Sequence, residues 1–147
     1  MSTNFLEFKA QCADIPGTTV FDAEQSRLGF QLNQFCMSLM KADNRAQFKA
    51  NEEAYLAQFP MSTAQNAAVR ARDYNLMISL GGNIYFLAKI GATDGHSFQK
   101  LASIMTGVTE ENYRNMMIAG GRSIDGNRSK KQSEETALNI TKEKKHG

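Results

Sequence analysis

Histidines, cysteines and paired carboxylates are what a chain of this size would use to do chemistry unaided, and here they are sparse. The histidines are His96 and His146, the cysteines Cys12 and Cys36. A zinc site or a facial iron triad needs two or three His, Cys or carboxylate ligands on one rigid frame. Only His96 falls in a segment that reads as structured. Cys36 sits among Phe35, Met37 and Leu39 and reads as a small buried thiol; neither cysteine is in a C-x-x-C spacing, so both read as unbonded. Glu52 and Glu53 fall mid-helix and read as a solvated edge, not an acid/base dyad. No G-x-S-x-G, P-loop or dinucleotide fingerprint occurs, and Gly81-Gly82-Asn83 lacks the strand-to-helix context of a phosphate loop. These residues predict no catalytic group and no metal site in this chain.

The stretch that could still form part of a site is GGNIYFLAKIGATDGHSFQ, Gly81 to Gln99. It joins a double glycine, a short apolar segment and a turn at Thr93-Asp94-Gly95. His96 has two readings there: a solvated turn residue, or a substrate contact that needs a pocket supplied from elsewhere.

The elements that must carry this stretch read as helices. Asn4–Cys12 predicts a short helix, closed by Pro16-Gly17 in a type II turn. Asp22 with Gln25 gives a capping-box pattern, and Leu28, Leu32, Phe35, Cys36, Leu39 and Met40 recur at helical spacing to about Lys41. Gly29 inside that helix costs about 1 kcal/mol against Ala, which suggests close approach by another backbone. Asp43 or Asn44 caps a helix through Phe48, Glu52, Tyr55, Leu56 and Phe59 that Pro60 closes. Ser62 with Gln65 caps a long helix to Leu80, with a small-residue stripe of Ala64, Ala67, Ala68 and Ala71 and with Arg70, Arg72 and Asp73 on its flanks. Gly81 ends it as a left-handed C′ glycine. Ile84–Ala88 could be strand or helix by pattern alone, but no second strand candidate exists to pair with it, so it reads as a buried helix opened by Asn83. Ser97 and Thr109 cap two further helices, ending at Thr106-Gly107 and at Gly120-Gly121.

The expected fold is all-α: a single compact domain of about six short-to-medium helices with a flexible C-terminal tail. Residues 1–14 read as an N-terminal arm, 15–128 as the helical domain and 129–147 as a disordered or weakly helical tail. At 147 residues and 41% hydrophobic the chain suits one modest core. No apolar run approaches the roughly 20 residues of a membrane span, and the amino terminus lacks a signal-peptide core; a cytoplasmic location is the expectation. Of 17 basic and 15 acidic residues, five and three lie in Ser129–Gly147, leaving twelve of each elsewhere. The slight basicity therefore belongs to the tail and does not indicate a nucleic-acid surface. Methionines 37, 40, 105, 116 and 117 read first as adaptable core and second as interface. Phe30, Tyr74 and Tyr85 widen the apolar faces beyond one stripe, which predicts an association surface.

Taken together, LNQFCMSLMKA, GGNIYFLAKIGATDG and MMIAGGRS closely resemble the alpha (small) subunits of protocatechuate 4,5-dioxygenases, class III extradiol ring-cleavage enzymes. The resemblance covers about Ile15 to Arg128. It implies a non-metal subunit that caps the Fe(II) pocket of a beta subunit, in an alpha–beta heterodimer that pairs further. The reaction implied is opening of protocatechuate (3,4-dihydroxybenzoate) by O2 at the 4,5 bond to a carboxymuconate semialdehyde. By the same resemblance Phe98 is a lid residue over the substrate, with Asp94, Gly95, His96 and Ser97 as neighbouring polar contacts. His96 departs from the family pattern, which implies Lys there. Gallate, a methylated gallate or an aminophenol is the alternative substrate, and a non-enzymatic helical adaptor the alternative class.

Overall fold

Side-chain caps and left-handed glycines cut the chain into short helices in the computed structural model, which describes residues 2–122 and 129–143. No strand occurs among the described residues, so the all-α expectation holds. Arg128, where the sequence reading ended the domain, and 144–147, with His146, lie outside the described residues.

The chain divides into two units, Met1–Val20 with Arg122–Gly147, and Phe21–Gly121. In the first, α1 (Ser2–Ala13) is closed by the expected turn: Gly17 has φ +72° and the Thr18 amide donates to the Ile15 carbonyl.

The second unit begins with α2 (Ala23–Leu28), capped by Asp22, whose carboxylate accepts from the Gln25 amide. The predicted long helix breaks at Gly29, and α3 (Phe30–Ser38) follows. α4 (Ala42–Ala50) lacks the predicted cap: Lys41 holds the N-cap position, while Asn44 donates to the Ser38 carbonyl. Asn51 interrupts the next predicted helix because its side chain accepts from the Ala54 amide, starting α5 (Glu52–Leu56). The Ser62/Gln65 capping box opens α6 (Thr63–Ala71) as expected. That helix also stops early, at Arg72 with φ 54°, and Asp73 caps α7 (Tyr74–Ser79).

Gly81, at φ +94°, then closes α7 with two bonds, its own amide to the Ile78 carbonyl and the Gly82 amide to the Met77 carbonyl, the Schellman arrangement. Asn83 caps α8 (Ile84–Thr93), Ser97 caps α9 (Phe98–Thr106) and Thr109 caps α10 (Glu110–Ile118), all as read from sequence. The segment read as a disordered or weakly helical tail carries α11 (Lys130–Glu143), part of the first unit.

The core of the second unit gathers Leu32, Phe35 and Cys36 of α3 with Phe48, Tyr55, Leu56, Val69, Tyr74, Met77, Leu87, Ile90 and Leu101. Phe35 lies 5.4–6.2 Å from the rings of Phe48, Tyr55 and Phe59, two of the three pairs edge-on, a geometry favoured by ring quadrupoles. α8 packs between α3 and α9. The proposed small-residue stripe is corrected: Ala68 and Val69 are buried, while Ala64, Ala67 and Ala71 face out. Leu28 and Met40 also leave the predicted core stripe and are exposed, because the break at Gly29 and the end of α3 at Ser38 rotate them off its face.

The Gly29 signal is confirmed by its neighbour. A Cβ there would collide with the Gly81 carbonyl, so the two backbones touch. Two buried amides seal this crossing. Asn33 donates to the Gly81 carbonyl at 3.0 Å and accepts from the Asn83 amide at 2.9 Å. Gln65 donates to the carbonyls of Leu28 and Leu80. Each satisfies groups that burial would otherwise leave unpaired, a loss of about 1–3 kcal/mol apiece.

Candidate functional site

The start of α8 is thus fixed against α3, and its end delivers the turn. The Gly95 amide donates to the Ala92 carbonyl and the His96 amide to the Gly91 carbonyl at 2.8 Å, with Gly95 at φ +85°. This is the same Schellman closure that ends α7, here leading straight into the Ser97 cap of α9. Ser97 accepts from the Lys100 amide at 3.0 Å and donates to Glu110 at 3.3 Å. Gln99 reaches the same Glu110 oxygen, so the first turn of α10 braces that side.

The other side is held by Arg72, which sequence reasoning placed on a solvated flank. Its Nε and Nη2 donate to Asp94 at 2.7 and 3.2 Å, and its Nη1 and Nη2 donate to Glu52 at 2.7 and 3.0 Å. A fifth bond runs from Nη1 to the Val69 carbonyl at 2.7 Å. All five N–H donors of a guanidinium are thereby used, and its plane lies over the Phe48 ring, Cζ 5.4 Å from the centroid. The reading of Glu52 as a solvated edge is corrected accordingly. Glu53 fits that reading, 81% exposed and 3.5 Å from Arg70.

The side chains of Arg72, Glu52 and Asp94 are 26%, 34% and 22% exposed, shielded enough to be worth more than a surface pair yet still partly screened. Hydrogen bonding to Glu52 raises the Arg72 pKa above its ordinary value. Desolvation opposes that shift, and Asp94 adds to it. The cation is permanent. Arg72 is also the one non-glycine residue with positive φ among the described residues, a conformation costing of order 1–3 kcal/mol. Nothing in its residue type announces this; Asp73, three residues before Leu76 in N-cap register, was the available sign of a break.

Among the five expected contact residues, Asp94 is turned inward to Arg72, whereas Gly95, His96, Ser97 and Phe98 are exposed at the surface. Phe98, the first residue of α9, is 62% exposed. A Cβ at Gly95 would meet nothing within 4 Å. The turn is therefore a projection anchored on both sides, with an aromatic ring at its edge. Two open grooves lie elsewhere: about 460 Å³ beside Leu28, Phe30 and Gln65, and about 400 Å³ beside Met40, Arg45 and Lys89.

Among the described residues no three His, Cys, Asp or Glu side chains converge to hold a metal ion, so these residues do not fit an iron site. No helix among the described residues is long and apolar enough to cross a membrane.

Comparison with known proteins bears on the same region. Over 104 residues the chain is 27% identical to the gallate dioxygenase of Pseudomonas putida (strain KT2440), covering 71% of this chain and 31% of that protein. The chain thus spans less than a third of that relative's length. Residues 32–118, more than half of the chain and inclusive of Arg72 and the whole turn, match the family described as aromatic-ring-opening dioxygenase LigAB, LigA subunit. The chain belongs to this LigA-subunit family of aromatic-ring-opening dioxygenases.

Proposed function

We propose that the chain is the small subunit of an extradiol dioxygenase and lays its Gly95–Phe98 turn over the substrate pocket of a larger, Fe(II)-binding beta subunit. The observation that carries this reading is the exposed ring of Phe98 on a turn braced from both sides. An aromatic side chain left in water at an anchored site suits a flat apolar ligand brought to it by a partner. The length of the gallate dioxygenase relative supports the same division of labour, since most of that protein lies outside the matched region.

In this role Phe98 packs against the ring and limits its tumbling, a positioning effect. The substrate we assign is 3,4-dihydroxybenzoate. Both atoms of O2 enter the product as the C4–C5 bond breaks, leaving a carboxylate at one end and an aldehyde at the other, with no further reductant consumed. Gallate is the second reading, favoured by the named activity of the Pseudomonas relative.

Co-expression with the beta chain and oxygen-uptake assays on 3,4-dihydroxybenzoate and gallate test this. Turnover is expected from the assembly and none from the isolated chain; ring opening by the isolated chain would sink the proposal. Phe98→Ala is expected to lower kcat/KM by up to about a hundredfold, the scale of a roughly 1 Å misplacement of the reacting groups, while changing unfolding stability by less than about 1 kcal/mol because the ring is already exposed. Loss of assembly in that variant would make Phe98 an interface anchor instead.

A further inference from the structure

We propose that Arg72 is a positioning residue that, through Glu52 and Asp94, sets the aim of the Gly95–Phe98 turn toward its aromatic ligand. The inference rests on the function proposed above for that turn, and its structural half can be tested apart from it. Three observations carry it. Arg72 spends all five donors on fixed acceptors from three places in the fold: Glu52 at the start of α5, the Val69 carbonyl in α6, and Asp94 at the end of α8. It holds a left-handed backbone that glycine would adopt without strain, so the helix stop alone does not call for an arginine. Asp94 is the last residue before the left-handed Gly95, so the two bonds from Arg72 hold the end of α8 from which the turn departs. On the far side Ser97 and Gln99 meet Glu110, which leaves Gly95 and His96 as the span between two anchors.

Arg72→Gly separates the two roles. It keeps the conformation at φ 54° and deletes the guanidinium. Asp94→Asn is the milder second variant, keeping the side chain's shape while removing its charge. Hydrogen exchange on the full chain should show the Gly95 and His96 amides exchanging at least tenfold faster in Arg72→Gly, with a smaller change at the same amides in Asp94→Asn. Amides in the middle of α3 should stay within twofold of the parent. Unchanged exchange at the turn, or an equal rise throughout the chain, overturns the proposal.

In the assembly with the beta subunit, assayed with 3,4-dihydroxybenzoate and gallate, Arg72→Gly should lower kcat/KM. The Arg72→Gly/Phe98→Ala double variant should be no worse than Phe98→Ala alone, since residues acting through one feature are not additive. Multiplying defects overturn the proposal. If the parent assembly opens neither ring, the proposed function fails, and the exchange result still decides whether Arg72 positions the turn.

Discussion

Tyr74 carries its hydroxyl into the core beside Gly91 and meets no hydrogen-bond partner among the described residues. Sequence periodicity set this ring on an outer face; the break at Arg72–Asp73 re-phases α7 and turns it inward, 2% exposed. Desolvation, with help from Asp94 and against Arg72, pushes its phenol up to about 12. The neutral form is the one the core holds, so its stabilising effect is complete below the ordinary value near 10. It is lost as pH rises from there to about 12, and two units correspond to at most about 2.7 kcal/mol. Tyr74→Phe should therefore cost nothing at pH 7, gain up to about 1 kcal/mol by removing an unpaired hydroxyl, and flatten the alkaline decline in urea unfolding. A clear loss at neutral pH would show that the hydroxyl is satisfied. Cys36 follows the same logic, its thiol raised by burial to about 12, and thiolate is the reactive form. Iodoacetamide at pH 8 should label the native chain at Cys12 only. The burial of Cys36 was legible from its apolar neighbours. The inward turn of Tyr74 was not, because it depends on a helix break two residues upstream.

Among the elements, the crossing of α2–α3 with the α7–α8 joint separates two kinds of glycine. Gly29 has an ordinary φ of −90° but no room, since its Cβ would strike the Gly81 backbone. Gly107 has open space but φ +70°. Gly29→Ala must push the two joints apart and disturb the Asn33 and Gln65 bonds, so its cost belongs at or above the top of the roughly 1–3 kcal/mol range for overpacking. Gly107→Ala bears only the left-handed penalty of about 1–2 kcal/mol. Equal losses in urea unfolding would contradict the steric account. The caps at Asp22, Ser62, Asn83, Ser97 and Thr109 were legible because a side-chain oxygen followed by a helical run has one common use. The breaks at Asn51 and Arg72 were not, because apolar spacing continues across both and the second uses an arginine where glycine is usual. The triad of Arg72, Glu52 and Asp94 shared that fate: its members lie 20 and 22 residues apart, and no local pattern joins them.

At the scale of the whole molecule, the surface of the Phe21–Gly121 unit carries Phe98, Tyr85, Met40, Met117 and Ile118, each more than half exposed. That supports the interface reading of the methionines over the core reading for Met40 and Met117, and is the expected look of a chain that works beside a partner. The other unit has a separate logic. Ser129 and Gln132 form a reciprocal cap at the start of α11. Asp14 accepts the Lys130 amide on its carbonyl and the Lys131 amide on its carboxylate, and Lys130 Nζ reaches the Ala13 carbonyl. Desolvation works to raise the Asp14 pKa, but the Lys131 amide, the Ser129 hydroxyl and the two lysine charges together outweigh it and hold the carboxyl below its ordinary value. None of these bonds involves the Arg72 triad or the turn. Deleting residues 129–147 should therefore return Asp14 to the ordinary carboxylate range in an NMR titration while leaving exchange protection of the Gly95 and His96 amides unchanged. On the proposed function, the truncated chain should support full ring opening in the assembly. A binding activity that vanished with the tail while ring opening never appeared would favour the helical adaptor, because five of the chain's lysines and arginines lie in that segment and the rest of the sequence is electrically balanced.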